Sequence, residues 1–291
     1  MTAFLWLLRR ETWEHRSIWI APGLLAALMV LAALFGHAEL SLPAAAAHAG
    51  AVGGAMLLVF GLPFLLAMIV HSTWYLLDCL HAERRDRSVL YWKALPLGDA
   101  ITVLSKLVTA VLLIPMVYFA TADATTLLIA FIVSLRTHTW LGVSLWRADL
   151  WLQLQALWLY LIVTMGIWYL PVSAWLLLVS AWARRAVTLW SILPPLALAW
   201  LERGILHSGH VAAWLATRRP QGYLSSAFHD LAGSLFAFAD SVGGAGKEPR
   251  DVWMLLAPGR FLAMPSTWIG AAAGGALVYA AIRVRRREAE S

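Results

Sequence analysis

One cysteine, Cys79, is all that the chain carries, which excludes an internal disulfide and any multi-cysteine metal site. Charge is scarce as well: Asp, Glu, Lys and Arg make up 13% of the 291 residues, about half the share usual in soluble domains. A complete phosphate-binding loop is missing too. The nearest approach is GGAGKE (243–248), but Ser241 stands where the motif needs its first Gly, and Glu248 where it needs Ser or Thr. No ATP site of that kind is therefore expected in the chain, which is read as not being an enzyme by itself. His207 and His210 lie three apart with no third ligand at recognisable spacing, so no metal site is expected there. Ser208 between them lacks an oriented base and an oxyanion hole.

What is present is apolar. Hydrophobic residues make up 61% of the chain and the mean hydropathy is +0.73, which points to a membrane protein on composition alone. A hydrocarbon core about 30 Å thick needs roughly 20 apolar residues of helix. Six runs meet or approach that requirement: 18–35, 52–77, 103–133, 151–182, 186–201 and 267–282. The expected fold is an all-α polytopic membrane protein with six transmembrane helices over 18–283. Pro115 and Pro171 fall inside the third and fourth runs, where a missing N–H and a ring clash favour bends. The fifth run is short and contains Pro194 and Pro195, so it is the least regular. Of 17 Trp, many sit at run ends (Trp19, Trp74, Trp140, Trp151, Trp182, Trp268), where indoles anchor at the headgroup level.

Orientation follows from Lys and Arg. Fourteen of the 22 lie on one set of short flanks, including Arg9, Arg10, Arg84, Arg85, Lys106 and Arg285, and the rest are spread over longer loops. This asymmetry puts both termini in the cytoplasm, with a basic tail at 284–291. The net charge of +6 is thus a topology signal, and no nucleic-acid partner is expected. Residues 1–17 have apolar and basic positions at helical spacing, which suits an amphipathic interfacial helix; an extension of the first span fits equally well. The basic region and full-length apolar run read as an uncleaved span rather than a signal peptide. The largest extramembrane segment, 202–262, is expected to hold a short helix or two that dip toward the outer leaflet.

Ionisable residues inside apolar runs are costly. Asp123, with Thr125 nearby, and His71 are the candidates for a substrate path. Gly270 and Gly274 in the last run form a small-xxx-small pair that allows close helix packing.

One dense polar island, 78–99 (DCLHAERRDRSVLYWKALPLGD), interrupts the apolar pattern between the second and third runs. Glu83 and Arg87 are an i,i+4 pair in the favourable orientation. Val89, Leu90 and Leu95 add apolar contacts, and Pro96 ends the helix that this pattern predicts. Charge mixed with exposed apolar residues suits docking into a groove of a soluble partner.

The stretch ERRDRSVLYWKALPLGDAITVLSKL (83–107) resembles the cytoplasmic segment of ABC-2-type transporter permeases. The amphipathic start, six spans, internal termini and large outer segment before the last span are similar as well. The resemblance implies a cytoplasmic coupling helix, with Glu83, Arg84, Asp86, Arg87, Ser88, Leu95 and Pro96 contacting an ABC ATP-binding subunit. It also implies a second permease copy, or a homologous permease, in the working unit. ATP and Mg would then sit on the partner, with no cofactor in this chain. The function expected is export of an amphipathic or lipid-like substrate across the bacterial inner membrane. The rival readings are a membrane-embedded hydrolase or lipid-modifying enzyme using His207, His210, His229 and Asp230, and a non-transporting membrane assembly or sensor subunit.

Overall fold

A computed structural model describes residues 2–35, 49–85, 98–137, 148–228 and 256–287 of the chain. These are helical apart from short connections and one antiparallel bridge between Phe228 and Leu256. The first helix, α1 (Thr2–Glu14), is separated from α2 (Ser17–Phe35) by a turn in which Ile18 N–H donates to the His15 carbonyl. Helix α1 is thus set off from α2 by a turn. The exposed face of α1 carries Leu5, Trp6 and Trp13, with the Arg9 guanidinium lying over both indoles, while Leu7 and Glu11 turn inward.

Helix α3 (Ala49–Arg85) has 37 residues, roughly 55 Å of helix and more than one crossing requires. Next, α4 (Asp99–Val108) runs through a π segment (Thr109–Leu113) into α5 (Ile114–Thr137). Pro115 cannot donate to the Val111 carbonyl four residues back, and the helix widens there instead of breaking. Pro171 has the stronger effect. It divides the fourth apolar run into α6 (Ala148–Trp168) and α7 (Leu170–Trp182), which meet at Tyr169 with a bend of 59°.

After Ala186, whose φ of 52° lies in the left-handed region, α8 (Val187–Leu201) continues into a second π segment (Glu202–Leu206). Short helices α9 (His210–Thr217), α10 (Pro220–Ala227) and α11 (Pro258–Ala263) precede the last long helix, α12 (Pro265–Arg287). Among the described residues four helical stretches are long and apolar enough to cross a membrane, and the bent α6–α7 pair makes a fifth crossing if counted as one span. With 15 residues, α8 is roughly 22 Å long and falls short of a crossing on its own.

Packing is led by α12 lying along α7, with α3 between α7 and α5, α2 against α5, and α1 on α4. Gly274 is what lets α12 approach the bend. A Cβ there would stand 2.8 Å from Leu170 Cγ and 3.1 Å from Pro171 N. The small residues of α12 thus serve packing within the chain. Leu24, Leu28, Leu31 and Phe35 of α2 and Leu189, Ile192, Leu196 and Trp200 of α8 are exposed. An apolar surface of that extent suits lipid contact rather than water. Trp19, Trp74, Trp182 and Trp268 also stand outward, as interfacial anchors would.

Candidate functional site: a buried ion cluster

Charges from four helices meet at the end of the bundle where α3 finishes and α4 begins. Lys106 of α4 has no exposed surface, and its Nζ lies 3.0 Å from Glu11 Oε1 of α1 and 3.0 Å from Glu83 Oε1 of α3. The other Glu83 oxygen, Oε2, accepts from Arg285 Nη1 of α12 at 2.9 Å. Arg10 Nη2 reaches Glu83 Oε1 at 3.2 Å, and Arg10 Nε pairs with Glu14 at 2.7 Å. Tyr75 of α3 donates its hydroxyl to Glu11 Oε2 at 2.6 Å. Helix α1 and the end of α12 therefore lie at one end of the bundle.

Burying a lone charge costs several kcal/mol even after relaxation, and only close pairing and hydrogen bonding offset that. The cluster meets the requirement by alternation, since Lys106 lies between two carboxylates and Glu83 between three cations. Such an arrangement fixes the relative positions of α1, α3, α4 and α12 more firmly than apolar contacts alone. His15 sits at the α1–α2 turn, 3.7 Å from Glu11 and edge-on to Tyr75. Burial lowers its pKa, with Glu11 pulling the other way.

Arg285 has a second contact. Its Nε donates to Asp99 Oδ1 at 3.2 Å, so one guanidinium holds Glu83 and Asp99, the residues flanking segment 86–97. Arg84 completes the anchorage by donating to the carbonyls of Ser180 and Ala183 at the end of α7, at 2.6 and 2.8 Å. Ser180 Oγ in turn accepts from the N–H groups of Leu80 and His81.

Of the residues implied to touch a partner, Glu83 and Arg84 are thus committed to contacts within the chain, and Glu83 is 6% exposed. The physical reason is the supply of cations from α1, α4 and α12, which draws the carboxylate inward. Asp86, Arg87, Ser88, Leu95 and Pro96 lie outside the described residues, as do His229, Asp230 and 243–248. Lys106, Glu11, Arg285 and Tyr75 were not singled out by sequence reasoning. The available signal was a charge within an apolar run (Lys106) and an acid on the helical face of an interfacial segment (Glu11).

Each substrate-path candidate makes contacts of its own. Asp123 accepts from Gln155 Nε2 at 2.7 Å and Trp158 Nε1 at 2.9 Å, joining α5 to α6. Thr125 donates to the Thr121 carbonyl of its own helix. His71 links Ser17 Oγ through Nε2 at 3.2 Å and Tyr118 OH through Nδ1 at 3.0 Å, tying α3 to α2 and α5.

At the other end of α8, Glu202 caps α9, accepting from Ser208 Oγ, His210 N–H and Val211 N–H at 2.7–2.8 Å. Burial pushes that carboxyl upward, but these donors outweigh it and hold the pKa below the ordinary value. Ser208 and His210 therefore serve a helix start. Among the described residues no group of three or more His, Cys, Asp or Glu could hold a metal ion.

Arg218 is a buried cation outside this cluster. It is 5% exposed and comes from the turn between α9 and α10, with its guanidinium 4.5 Å above the Trp168 ring and 5.2 Å from that of Trp214. Its Nη1 donates to the Trp168 carbonyl at the bend at 2.7 Å, and its Nη2 to the Ser266 carbonyl at 2.6 Å. Gly270 makes room for it, because a Cβ there would stand 2.1 Å from Nη2. Burial lowers its pKa, with only Tyr169 opposing. Comparison with protein-family models, with curated proteins and with solved structures returned no match.

Proposed function

We propose that this chain is the membrane subunit of an ABC-2-type exporter, moving an amphipathic or lipid-like substrate with energy from a separate ATP-binding subunit. The reading rests on the sequence pattern of 83–107 and on the order of elements around it. The single observation that carries it furthest is the Arg285 clamp. Because Arg285 holds both Glu83 and Asp99, force applied to segment 86–97 would be delivered to α3, α4 and α12 together, and through Lys106 to α1. A lever of that kind is what a partner ATPase needs in order to shift the bundle between two states. Such a shift requires the partner to contact the two states differently, and anchorage at both flanks of the contact segment would pass that difference to the bundle. In this reading Glu83 and Arg84 are positioning residues, and direct partner contact falls to residues within 86–97. Both termini and that segment then face the cytoplasm, α8 is the fifth of six crossings, and the working unit holds two permease copies and two ATPases.

The test is ATP hydrolysis in proteoliposomes. The purified chain alone should hydrolyse none. With its ATP-binding subunit, hydrolysis should rise when a lipid-like cargo is supplied, a response that a mere recruiting subunit would lack. Hydrolysis by the chain alone, shown free of other ATPases by mass spectrometry, would overturn the assignment. Sidedness is checked by replacing Cys79 and placing single cysteines at Arg287 and Ala245. Impermeant reagents should label only the latter in intact cells.

A further inference from the structure

Among the described residues, two buried N–H donors that share one place have no acceptor: Arg218 Nε and Trp168 Nε1. They belong to side chains stacked on each other at 4.5 Å. Arg218 makes no ion pair with a described carboxylate, although it is 95% buried by its 5% exposure. Its remaining donors meet only the carbonyls of Trp168 and Ser266. The same place gathers the starts of α7 at Leu170 and α12 at Pro265 and the ends of α6 at Trp168 and α9 at Thr217, so helix dipole ends of both signs meet there. Among the described residues no side-chain charge answers the Arg218 guanidinium. A buried cation ordinarily has a counter-charge, and a buried donor ordinarily has an acceptor. Both conditions would be met by one anionic oxygen group.

We infer that the bend between α6 and α7 is a binding site for the anionic head of an amphiphile, a phosphate or carboxylate oxygen held by Arg218 Nε and Trp168 Nε1. Discontinuous helices whose ends meet within a bundle are a recurring way to receive an anionic group in membrane proteins. The partly exposed rings of Trp214 and Tyr169 offer the adjoining apolar part of such a molecule a surface. The inference deepens the exporter reading by giving its cargo a negative head. The binding itself needs no ATPase, so the two fail separately.

Native mass spectrometry of the full chain in detergent tests it, with short-chain phosphatidylglycerol, short-chain phosphatidylcholine and inorganic phosphate as probes. Phosphatidylglycerol should bind at least about tenfold more tightly than phosphatidylcholine, whose quaternary ammonium offsets the same phosphate charge and is repelled by the buried guanidinium. Trp168→Phe keeps the ring beneath the guanidinium while removing its N–H, and should weaken phosphatidylglycerol binding about threefold to tenfold. Arg218→Gln should weaken it more, and Arg219→Gln, an exposed neighbour, should leave it unchanged. Inorganic phosphate bound with the same dependence on Trp168 and Arg218 supports the site and makes a free anion its occupant. Equal binding of the two lipids, wild-type binding by Trp168→Phe, or an equal loss in Arg219→Gln overturns the inference.

Discussion

Two cations buried among the described residues, Lys106 and Arg218, show two ways of keeping charge inside an apolar bundle. Lys106 is answered in kind by carboxylates on two other helices, each 3.0 Å away. Arg218 is answered by carbonyl oxygens and ring faces, with no carboxylate at all among the described residues. The first solution fixes the positions of helices, because a paired charge that moves leaves its counter-charge stranded. The second solution spreads the charge and leaves donor capacity over. A rigid anchorage and a receptive site follow from that difference in chemistry rather than from any difference in burial.

The comparison is broken most severely by removing Lys106. Lys106→Met should cost about 3–5 kcal/mol, since it removes the cation buried against Glu11 and one of the three around Glu83. A shift of the SDS-unfolding midpoint of purified protein measures it. Adding Glu11→Gln to that variant should restore part of the loss. Arg218→Met should cost less, about 1–3 kcal/mol, because only neutral carbonyls lose a donor. If the Arg218 variant proves the more damaging, the distinction drawn between the two cations fails.

Gly270→Ala sharpens the second half of the comparison. Its methyl would press on Arg218 Nη2, and overpacking of this kind costs about 1–3 kcal/mol. Because both changes act through one guanidinium, the Gly270→Ala and Arg218→Met effects should combine to less than their sum in a double-mutant cycle.

The smallest effect expected is a pH dependence at the cluster. Burial lowers the His15 pKa from its ordinary value near 6.5, so the unfolded chain takes up the proton first as pH falls. His15 therefore contributes stability that is full above about pH 6.5 and declines as pH drops through the window just below it. The unfolding midpoint measured between pH 7.5 and 5.5 should fall less steeply in His15→Gln than in wild type.

Much of the helical layout was legible because apolar run length and proline position are local properties. Pro171 marked the 59° bend, and Gly274 marked close packing. Pro115 was legible as a disturbance but not as a π turn, since whether a helix breaks or widens depends on what packs against it, here Gly166 against Val111. The ion cluster was mostly hidden because its partners are far apart in the chain. Glu83 and Arg285 are 202 residues apart, and Glu11 and Lys106 are 95 apart. A charge in the polar island looked exposed because its neighbours in sequence are polar, whereas its neighbours in space come from three other helices. Arg218 looked like an ordinary outer-loop cation for the same reason. The expectation of short helices within 202–262 could not name the side chain that reaches inward.

The most direct test of the central claim, that Arg285 ties segment 86–97 to the bundle for a partner ATPase to act on, is affinity purification of wild type, Arg285→Gln and Arg218→Gln in mild detergent. The retained ATP-binding subunit is quantified by mass spectrometry. Wild type and Arg218→Gln should retain it, and Arg285→Gln should lose most of it while still inserting in the membrane. Full retention by Arg285→Gln, or the absence of any ATP-binding subunit from the wild-type preparation, would contradict the account.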